Sequence, residues 1–233
     1  MDSSMNDYEL MDYRTYKILY ARYLQTENKN GWDDRTVELV KMAGSLKGKS
    51  VIDLCAGGGR LSREALKQKP ILVLACDKSS FMLRSMKDTS TLRRIPVDVY
   101  SLLKMCGPNS YDTIFCQQAV NYWLSTNTAD ELYRVLKPRG VFIFNTFNKK
   151  PSEDFAVKTY TIKDRKYCEV SWLYRKGYEE KVKHIQIVDG YEPHMTEFNW
   201  ISPEKFDMLL HKFRIQSVRT CGTTVYKCTK EAK

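Results

Sequence analysis

The stretch Val51-Ile-Asp-Leu-Cys-Ala-Gly-Gly-Gly-Arg60 decides the fold, and Ile71-Leu-Val-Leu-Ala-Cys-Asp77 follows it. Each stretch begins as an apolar run and reaches an acid, Asp53 in the first and Asp77 in the second. Glycine is needed where a strand turns sharply into a helix and the backbone approaches a ligand, because a Cβ would collide there. An acid at the tip of the next strand can accept hydrogen bonds from both hydroxyls of a ribose. The pair therefore predicts a pocket for an adenosine-type cofactor.

The residues around the glycines narrow the choice of cofactor. A dinucleotide fingerprint needs a third glycine where this chain has Ser62, and a phosphate loop needs Gly-Lys-Ser/Thr, which is absent from the sequence. Asp53, four residues before Gly57, would also repel a pyrophosphate, because like charges repel. The acid instead suits a cofactor that carries an ammonium and a sulfonium.

The alternation of apolar runs and helix-like segments predicts an α/β fold with a doubly wound parallel sheet. The predicted strands of the core are residues 50–54, 71–76, 95–97, 113–116 and 141–146, closed by 214–220 and 224–228. The predicted helices are residues 35–44, 60–69, 79–87, 128–136 and 202–212. In the turn at residues 137–140, we expect Pro138 to stop the helix and Gly140 to permit the turn.

The complete prediction is a Rossmann-like sheet of seven strands with an N-terminal helical lid and an antiparallel β insertion after strand five. Residues 157–200 alternate polar and apolar side chains around Gly177 and Gly190, which is typical of an antiparallel meander. The lid carries tyrosines at helical spacing. The predicted organisation is a lid over 1–45, a cofactor-binding core over 46–150, a substrate roof over 151–200 and a return helix with closing strands over 201–233.

Three motifs in order resemble those of class I S-adenosylmethionine-dependent methyltransferases. Asp53-x-x-x-Gly57-x-Gly59 resembles their motif I, residues 111–123 resemble their motif IV, and Leu136-Lys-Pro-Arg-Gly140 resembles the turn that follows. The resemblance covers roughly residues 45–150 and implies S-adenosylmethionine as the cofactor. It implies that Asp77 binds the ribose and that Asp98 binds the adenine amine, with a helix cap as the competing interpretation of Asp98.

The resemblance further implies the residues that line each part of the site. The cofactor-binding candidates are Tyr20 (a clamp on the methionine end), Asp53, Cys55, Ala56, Gly57, Gly59, Asp77, Lys78, Asp98, Val99 and Gln117. The substrate-binding candidates are Gln118, Asn121, Tyr122 and Trp172, and the catalytic candidates are His184, His194 and Tyr122. A histidine in a strand is more often a surface residue than a base. No metal site is expected.

The chemistry of the acceptor follows from motif IV and the tail. Cys116-Gln117-Gln118-Ala119 lacks the Asn/Asp-Pro-Pro-Tyr/Phe that grips a nucleic-acid base in amino methyltransferases of that type. The lid, the insertion and the return helix are similar to small-molecule N-methyltransferases of the glycine/sarcosine and amino-sugar kinds. We therefore expect a small-molecule acceptor, methylated at nitrogen rather than oxygen.

The composition of the chain leaves other functions and substrates open. The net charge of +10 allows RNA or protein as the substrate, although solvated lysines explain it as well. A non-catalytic cofactor-binding regulatory protein and a polyamine-synthase-like aminopropyl transferase are further alternatives. The seven cysteines are not paired at metal-ligand spacing, which favours free thiols in a reducing compartment, the cytoplasm. We expect neither a signal peptide nor a membrane span, and the sequence leaves the oligomeric state open.

Overall fold

The computed structural model describes Ile18, residues 32–220 and residues 222–232, with side chains from Arg35 onward in the second range. The chain divides into two compact units. The core unit spans Asp33–Lys149 and Pro203–Lys233. The insertion unit spans Lys150–Ser202, together with the described residues before Asp33. The predicted helical lid lies, up to residue 31, outside the described residues apart from Ile18, and so does Tyr20.

In the core unit, helix α1 is followed by alternating strands and helices. Its elements in chain order are α1 (Trp32–Met42), β1 (Ser50–Leu54), α2 (Arg60–Leu66), β2 (Leu72–Cys76), α3 (Ser80–Leu83), β3 (Leu92–Ile95), α4 (Val99–Met105), β4 (Tyr111–Gln117), a 3-10 turn (Val120–Tyr122), α5 (Thr126–Val135) and β5 (Leu136–Phe147). After the insertion the chain returns through α6 (Pro203–Leu209), β10 (Arg214–Thr220) and β11 (Thr223–Thr229).

These strands form one seven-stranded sheet in the order β10-β11-β5-β4-β1-β2-β3. Strand β1 pairs in parallel with both β2 and β4, so the strand order reverses at β1. Strand β11 pairs antiparallel with β5 and β10. Ligands of open parallel sheets bind outside the carboxyl ends of the strands at such a reversal. The predicted seven-stranded, doubly wound fold is confirmed, and the glycines after β1 stand at the reversal.

Helix α1 packs into the hydrophobic core of the sheet. Leu39 and Val40 are buried in a cluster with Val51 of β1, Val73 of β2 and Phe115 of β4. Spacings of three and four residues place the apolar side chains of a helix on one face, and here that face meets the sheet. This helix falls within the range 1–45 that the sequence assigns to the lid, whereas its contacts from Asp33 onward are those of the core unit.

Strand β3 ends earlier than the sequence predicts. It covers Leu92–Ile95 rather than residues 95–97, and its ladder with β2 stops at the pair Ile95–Cys76. The next residue, Pro96, has no N–H group and cannot donate to a ladder. Asp98 then begins helix α4, which the sequence analysis does not predict as an element.

The predicted turn at residues 137–140 lies within β5, where the register with β4 shifts between Tyr111 and Thr113. The left-handed residue is Arg139, with φ of 66°, rather than Gly140. A Cβ on Gly140 would lie 2.8 Å from the Lys137 carbonyl oxygen and 3.2 Å from the Asp112 carbonyl oxygen. Glycine is therefore required at position 140 because two backbone segments approach it closely.

The insertion unit is a four-stranded antiparallel sheet, as predicted. Its strands are β6 (Ala156–Ile162), β7 (Arg165–Lys176), β8 (Glu179–Val188) and β9 (His194–Asn199), in that spatial order. One face buries residues such as Leu173 and Val182, and the other exposes apolar side chains such as Met195. Among the described residues, no helix has the length and apolar character that crossing a membrane requires.

Replacing Gly140 with alanine should destabilise the protein by roughly 1–3 kcal/mol, because a methyl group would press against two backbone carbonyls. Urea unfolding measures the change. Gly107→Ala is the matched control, since a Cβ there meets nothing within 4 Å. Equal unfolding midpoints for the two variants would contradict the close-approach explanation.

Candidate active site

The loop of residues 55–59, here called the glycine loop, connects β1 to α2. Its backbone turns through three left-handed residues: Cys55 (φ 55°), Gly57 (φ 52°) and Gly59 (φ 77°). The Ala56 N–H donates to the carbonyl of Cys76 over 2.8 Å, which holds the loop against the end of β2. The loop therefore lies at the carboxyl ends of two neighbouring parallel strands.

Gly59 has a packing role in this loop. It is the left-handed N-cap of α2, and a Cβ there would lie 1.9 Å from the Met86 sulfur. A side chain at position 59 would therefore disturb the packing of the loop as well as any ligand. Gly57 is less constrained, because its added Cβ would meet only the end of the flexible Met82 side chain, at 3.3 Å.

Asp77 connects the tip of β2 to the glycine loop. One carboxylate oxygen accepts the Gly57 N–H over 2.8 Å, and the other accepts the Ser79 N–H over 2.9 Å. Burial raises the pKa of Asp77, and these two hydrogen bonds oppose that shift. A carboxylate has about four acceptor positions, so two remain after these bonds. Two free acceptors on one side chain suit the vicinal hydroxyls of a ribose.

Asp53 lies inside the core rather than on the open side of the loop. It is 1% exposed, and one of its oxygens accepts a hydrogen bond from the Ser62 hydroxyl over 2.6 Å. Burial raises the pKa of Asp53 to about 7, although the bonds from Ser62 lower it. Asp53 can therefore act on a cationic ligand only by long-range electrostatic attraction and not by direct contact. Ser62, which replaces the third glycine of a dinucleotide fingerprint, is the partner that holds it.

Asp98 is a helix cap in this structure. Its side chain is the N-cap of α4 and accepts the Ser101 N–H over 2.9 Å and the Ser101 hydroxyl over 2.6 Å. Burial would raise the pKa of Asp98, but the bonds from Ser101 outweigh burial and lower it. The side chain is exposed, as is that of Lys78, whereas Val99 is buried. The cap leaves acceptor positions free, so adenine binding by Asp98 stays a prediction.

Thr36 of α1 contacts the site, although no sequence motif singles it out. The Thr36 hydroxyl and the Gln117 side-chain amide hydrogen-bond at 3.0–3.1 Å, so α1 fixes a predicted cofactor-binding residue at the end of β4. Thr36 lies three and four residues before Leu39 and Val40, on the face that packs against the sheet. That spacing could have shown that Thr36 points toward the core. At the same edge, the Cys55 thiol hydrogen-bonds with Cys116, which raises the pKa of Cys55.

Buried amides follow β4 and end β5. Gln118 has φ of 59°, and its N–H donates to the Asn145 side-chain oxygen over 2.9 Å. The Asn121 side-chain oxygen accepts from the Thr146 hydroxyl over 3.1 Å. The sequence predicts Gln118 and Asn121 as substrate-binding residues, but it gives no sign of Asn145, whose apolar neighbours on β5 indicate only a buried strand.

Several of these side chains keep an unused donor. Within the described residues, no hydrogen-bond partner reaches the buried side-chain nitrogens of Gln118, Asn121, Trp123 and Asn145. A buried donor without a partner costs roughly 1–3 kcal/mol relative to a satisfied one. A ligand oxygen in this region would satisfy such donors. Tyr122, between them in sequence, is 42% exposed.

The insertion sheet separates the remaining predicted residues by face. His184 pairs with Ser171 in the register of β7 and β8, and Trp172 pairs with Lys183. Side chains alternate along a strand, so His184 and Trp172 point to opposite faces of this sheet. His194 pairs with Gln186, two residues from His184, and shares its face. The structure therefore brings the two histidines together on one face and excludes Trp172 from it.

Local contacts describe the histidine and tryptophan environments further. Burial lowers the pKa of His184, which favours the neutral form of its ring. Trp172 packs against Phe155, with ring centroids 4.9 Å apart, and Lys183 lies over its ring. In the described part of the chain, no group of three or more His, Cys, Asp or Glu side chains could hold a metal ion.

The core unit contains a segment that matches a known protein family. Residues 51–140 match the family model described as "Methyltransferase domain". No curated protein matches the chain. The match spans the glycine loop, Asp77, Asp98 and motif IV.

Solved structures show the same fold over most of the chain. One is the CcbJ methyltransferase from Streptomyces caelestis, with a TM-score of 0.70 at 14% identity over 89% of this chain and 96% of that one. Another is CalS10, an amino pentose methyltransferase from Micromonospora echinaspora, with a TM-score of 0.68 at 14% identity over 91% and 96%. A third is the sugar N-methyltransferase KedS8 from Streptoalloteichus sp, with a TM-score of 0.64 at 13% identity over 91% and 93%.

The seven-stranded sheet places the glycine loop at the carboxyl ends of parallel strands, where open α/β sheets bind their ligands. Residues 51–140 of the core match a methyltransferase domain, in agreement with the predicted class and the predicted cofactor, S-adenosylmethionine.

Replacing Asp53 with asparagine should raise the stability of the ligand-free protein at pH 8 by roughly 2–4 kcal/mol. The folded-state pKa of about 7 exceeds the unfolded value of 3.8, so the native state holds the extra proton between these values. The stability that Asp53 contributes therefore falls as pH rises from about 4 to 7 and is constant above that.

Urea unfolding at pH 5 and pH 8 measures this difference. In Asp53→Asn, the free energy of unfolding should change less between pH 5 and pH 8 than in the unchanged protein. The control Asp154→Asn, at an exposed position, should keep the pH profile of the unchanged protein. An Asp53→Asn variant that is less stable than the unchanged protein at pH 8 would refute this account of the buried acid.

Proposed function

We propose that the protein transfers a methyl group from S-adenosylmethionine to a small-molecule acceptor, at an amine nitrogen. The observation that supports a small molecule as the acceptor is the set of buried amide donors at Gln118, Asn121 and Asn145. Their nitrogens are inaccessible to a surface that merely docks on the protein. A small ligand can offer oxygens to such buried donors more readily than the surface of a folded polymer can.

The relatives of known activity support the amine as acceptor. CalS10 acts on an amino pentose, and KedS8 is a sugar N-methyltransferase. Both have chain lengths and folds comparable with this protein, including the segments outside the matched domain. The proposal carries their kind of acceptor, an amine on a hydroxylated small molecule, to this chain.

The protein itself binds the cofactor and the acceptor, orients them relative to each other and excludes water from the site. When bound, the cofactor supplies the activated methyl group, so no strong catalytic acid or base is required of the protein. Asp77 offers two acceptors to the ribose, and the buried amides offer donors to acceptor oxygens. Holding the two reactants in line lowers the barrier by several kcal/mol.

An amine attacks only in its unprotonated form, so a proton acceptor near it helps. We keep His184, His194 and Tyr122 as the candidates for this role. A neutral His184 fits the task, because its lowered pKa leaves a ring nitrogen free of charge at pH 7. A cytoplasmic location also remains a proposal, supported by the free cysteines of the described residues.

The net charge of +10 supports RNA or protein as an alternative substrate. Several basic side chains in the core are already engaged: Arg94 contacts Asp88 and two backbone carbonyls, and Arg63 contacts the Gly58 carbonyl. RNA binding that weakens steeply with salt, together with labelled RNA product, would favour this alternative. A labelled product from any acceptor would exclude a purely regulatory protein.

Asp77→Asn should weaken S-adenosylmethionine binding at least ten-fold, because one acceptor oxygen of the carboxylate becomes a donor. Asp98→Ser is the informative companion, since serine still caps α4 but is too short to reach an adenine amine. Calorimetric titration measures both affinities. If the Asp77→Asn variant binds S-adenosylmethionine with unchanged affinity, the ribose assignment is contradicted. If the Asp98→Ser variant does so, Asp98 only caps the helix.

Asn121→Asp should lower kcat/KM for the amine acceptor roughly ten- to hundred-fold and leave cofactor affinity unchanged. The change is isosteric, keeps an oxygen for Thr146 and replaces the unused donor with an acceptor. Turnover is followed by transfer of labelled methyl, and calorimetry with the cofactor checks that the variant is folded. Full activity in this variant would show that Asn121 does not contact the acceptor.

A further inference from the structure

The buried face of the insertion sheet carries a row of polar side chains. Glu169, Gln186 and His194 face one another across β7, β8 and β9 as register partners. All three are buried, and Gln186 is only 1% exposed. His184 precedes Gln186 by two residues and therefore points to the same face. Apolar residues such as Val182 surround this row, so its polar character requires an explanation.

Hydrogen bonds fix the Glu169 carboxylate at the β7 end of the row. Glu169 accepts from the Tyr160 hydroxyl over 2.6 Å and from the Gln186 side-chain nitrogen over 3.5 Å. The Tyr160 ring stacks on Tyr167, with centroids 5.1 Å apart, and this stacking holds the hydroxyl in place. The Glu169–Gln186 contact also sets the orientation of the glutamine amide, because its nitrogen faces the carboxylate. Its oxygen must then point elsewhere.

Within the described residues, the Gln186 and His184 side chains each keep a polar atom without a hydrogen bond. The Gln186 side-chain oxygen and the His184 Nε2 are buried, and among the described residues neither has a hydrogen bond. The glutamine oxygen can only accept, and a buried acceptor with no donor is unfavourable for the protein alone. A side chain that is 99% buried and unsatisfied points to a ligand that supplies the missing donor.

The chemistry of the row selects the ligand. The unmet glutamine oxygen and the nearby Glu169 carboxylate are both acceptors, and the carboxylate adds negative charge. A primary amine offers several N–H donors and can carry a positive charge, whereas a carboxylate or phosphate would be repelled. A hydroxyl offers one donor and no charge. The row therefore favours an amine over the other common polar groups of metabolites.

We propose that Glu169, Gln186 and His184 form a recognition site for the primary amine of a small hydroxylated ligand on the insertion sheet. The identification of that ligand with the methyl acceptor rests on the proposed function. The existence of the site does not, because all three residues belong to the insertion unit and none takes part in the cofactor assignments.

The histidines provide a direct test by NMR. The chain has three, His184, His194 and His211, so each ring gives a resolvable signal. His211 is exposed just after α6, in the core unit, and serves as an internal reference. Titration of the full chain with D-glucosamine should shift the His184 signal in a saturable way. D-glucose, in which a hydroxyl replaces the amine, should leave it in place.

Two exchanges of equal length on opposite faces of the sheet give the variants. Gln186→Met removes the unmet oxygen and should weaken glucosamine binding at least ten-fold. Met195→Gln changes an exposed side chain next to His194 on the opposite face and should leave binding unchanged. If Gln186→Met does not fold, the comparison of glucosamine with glucose in the unchanged protein still decides the question.

The outcomes separate this inference from the proposed function. An absent His184 shift, equal shifts with both sugars or unchanged affinity in Gln186→Met would each overturn the amine site. Calorimetry with S-adenosylmethionine on the same sample tests the proposed function independently. Cofactor binding without a His184 shift would refute only the amine site, whereas the shift without cofactor binding would refute only the methyltransferase proposal.

Discussion

The active-site end of this protein depends on the Asp77 carboxylate, which bridges two neighbouring parallel strands. It accepts one N–H from the glycine loop after β1 and one from the start of α3 after β2. Because β1 lies where the strand order reverses, this bridge stands at the point where an open α/β sheet offers room for a ligand. The left-handed residues of the loop, the close packing of Gly59 on Met86 and the link from Ala56 to Cys76 all maintain the same arrangement.

The protein holds several polar groups in its interior at the expense of stability. Asp53 is buried with a pKa raised to about 7, and the amides of Gln118, Asn121 and Asn145 retain unused donors. Within a core, such groups are unfavourable unless something binds them. The amides are concentrated at the carboxyl ends of β4 and β5, which is consistent with a site whose donors are satisfied only when a ligand is present, as pre-organised sites require.

Much of the fold could be predicted from the sequence. The alternation of apolar runs with helix-like segments, the glycines after β1 and the acids near the ends of the strands are all visible in short stretches of sequence. A helix over residues 35–44 was predicted, but the contact of Thr36 with Gln117 was not, because it depends on long-range packing of this helix against β4. Pro96 shortened β3, and the close approach at Gly140 was mistaken for a turn requirement, since a sequence does not reveal which backbone segments meet. Trp172 fell on the other sheet face from the histidines because a single residue of register decides the face.

The most direct measurement of the central claim is calorimetric titration of the purified chain with S-adenosylmethionine, NAD and ATP under identical conditions. A pocket formed by Asp77 and a loop without the third glycine should bind the sulfonium cofactor in a one-to-one complex and give no heat with the other two. Heat from NAD or ATP together with none from S-adenosylmethionine would contradict the account at its foundation.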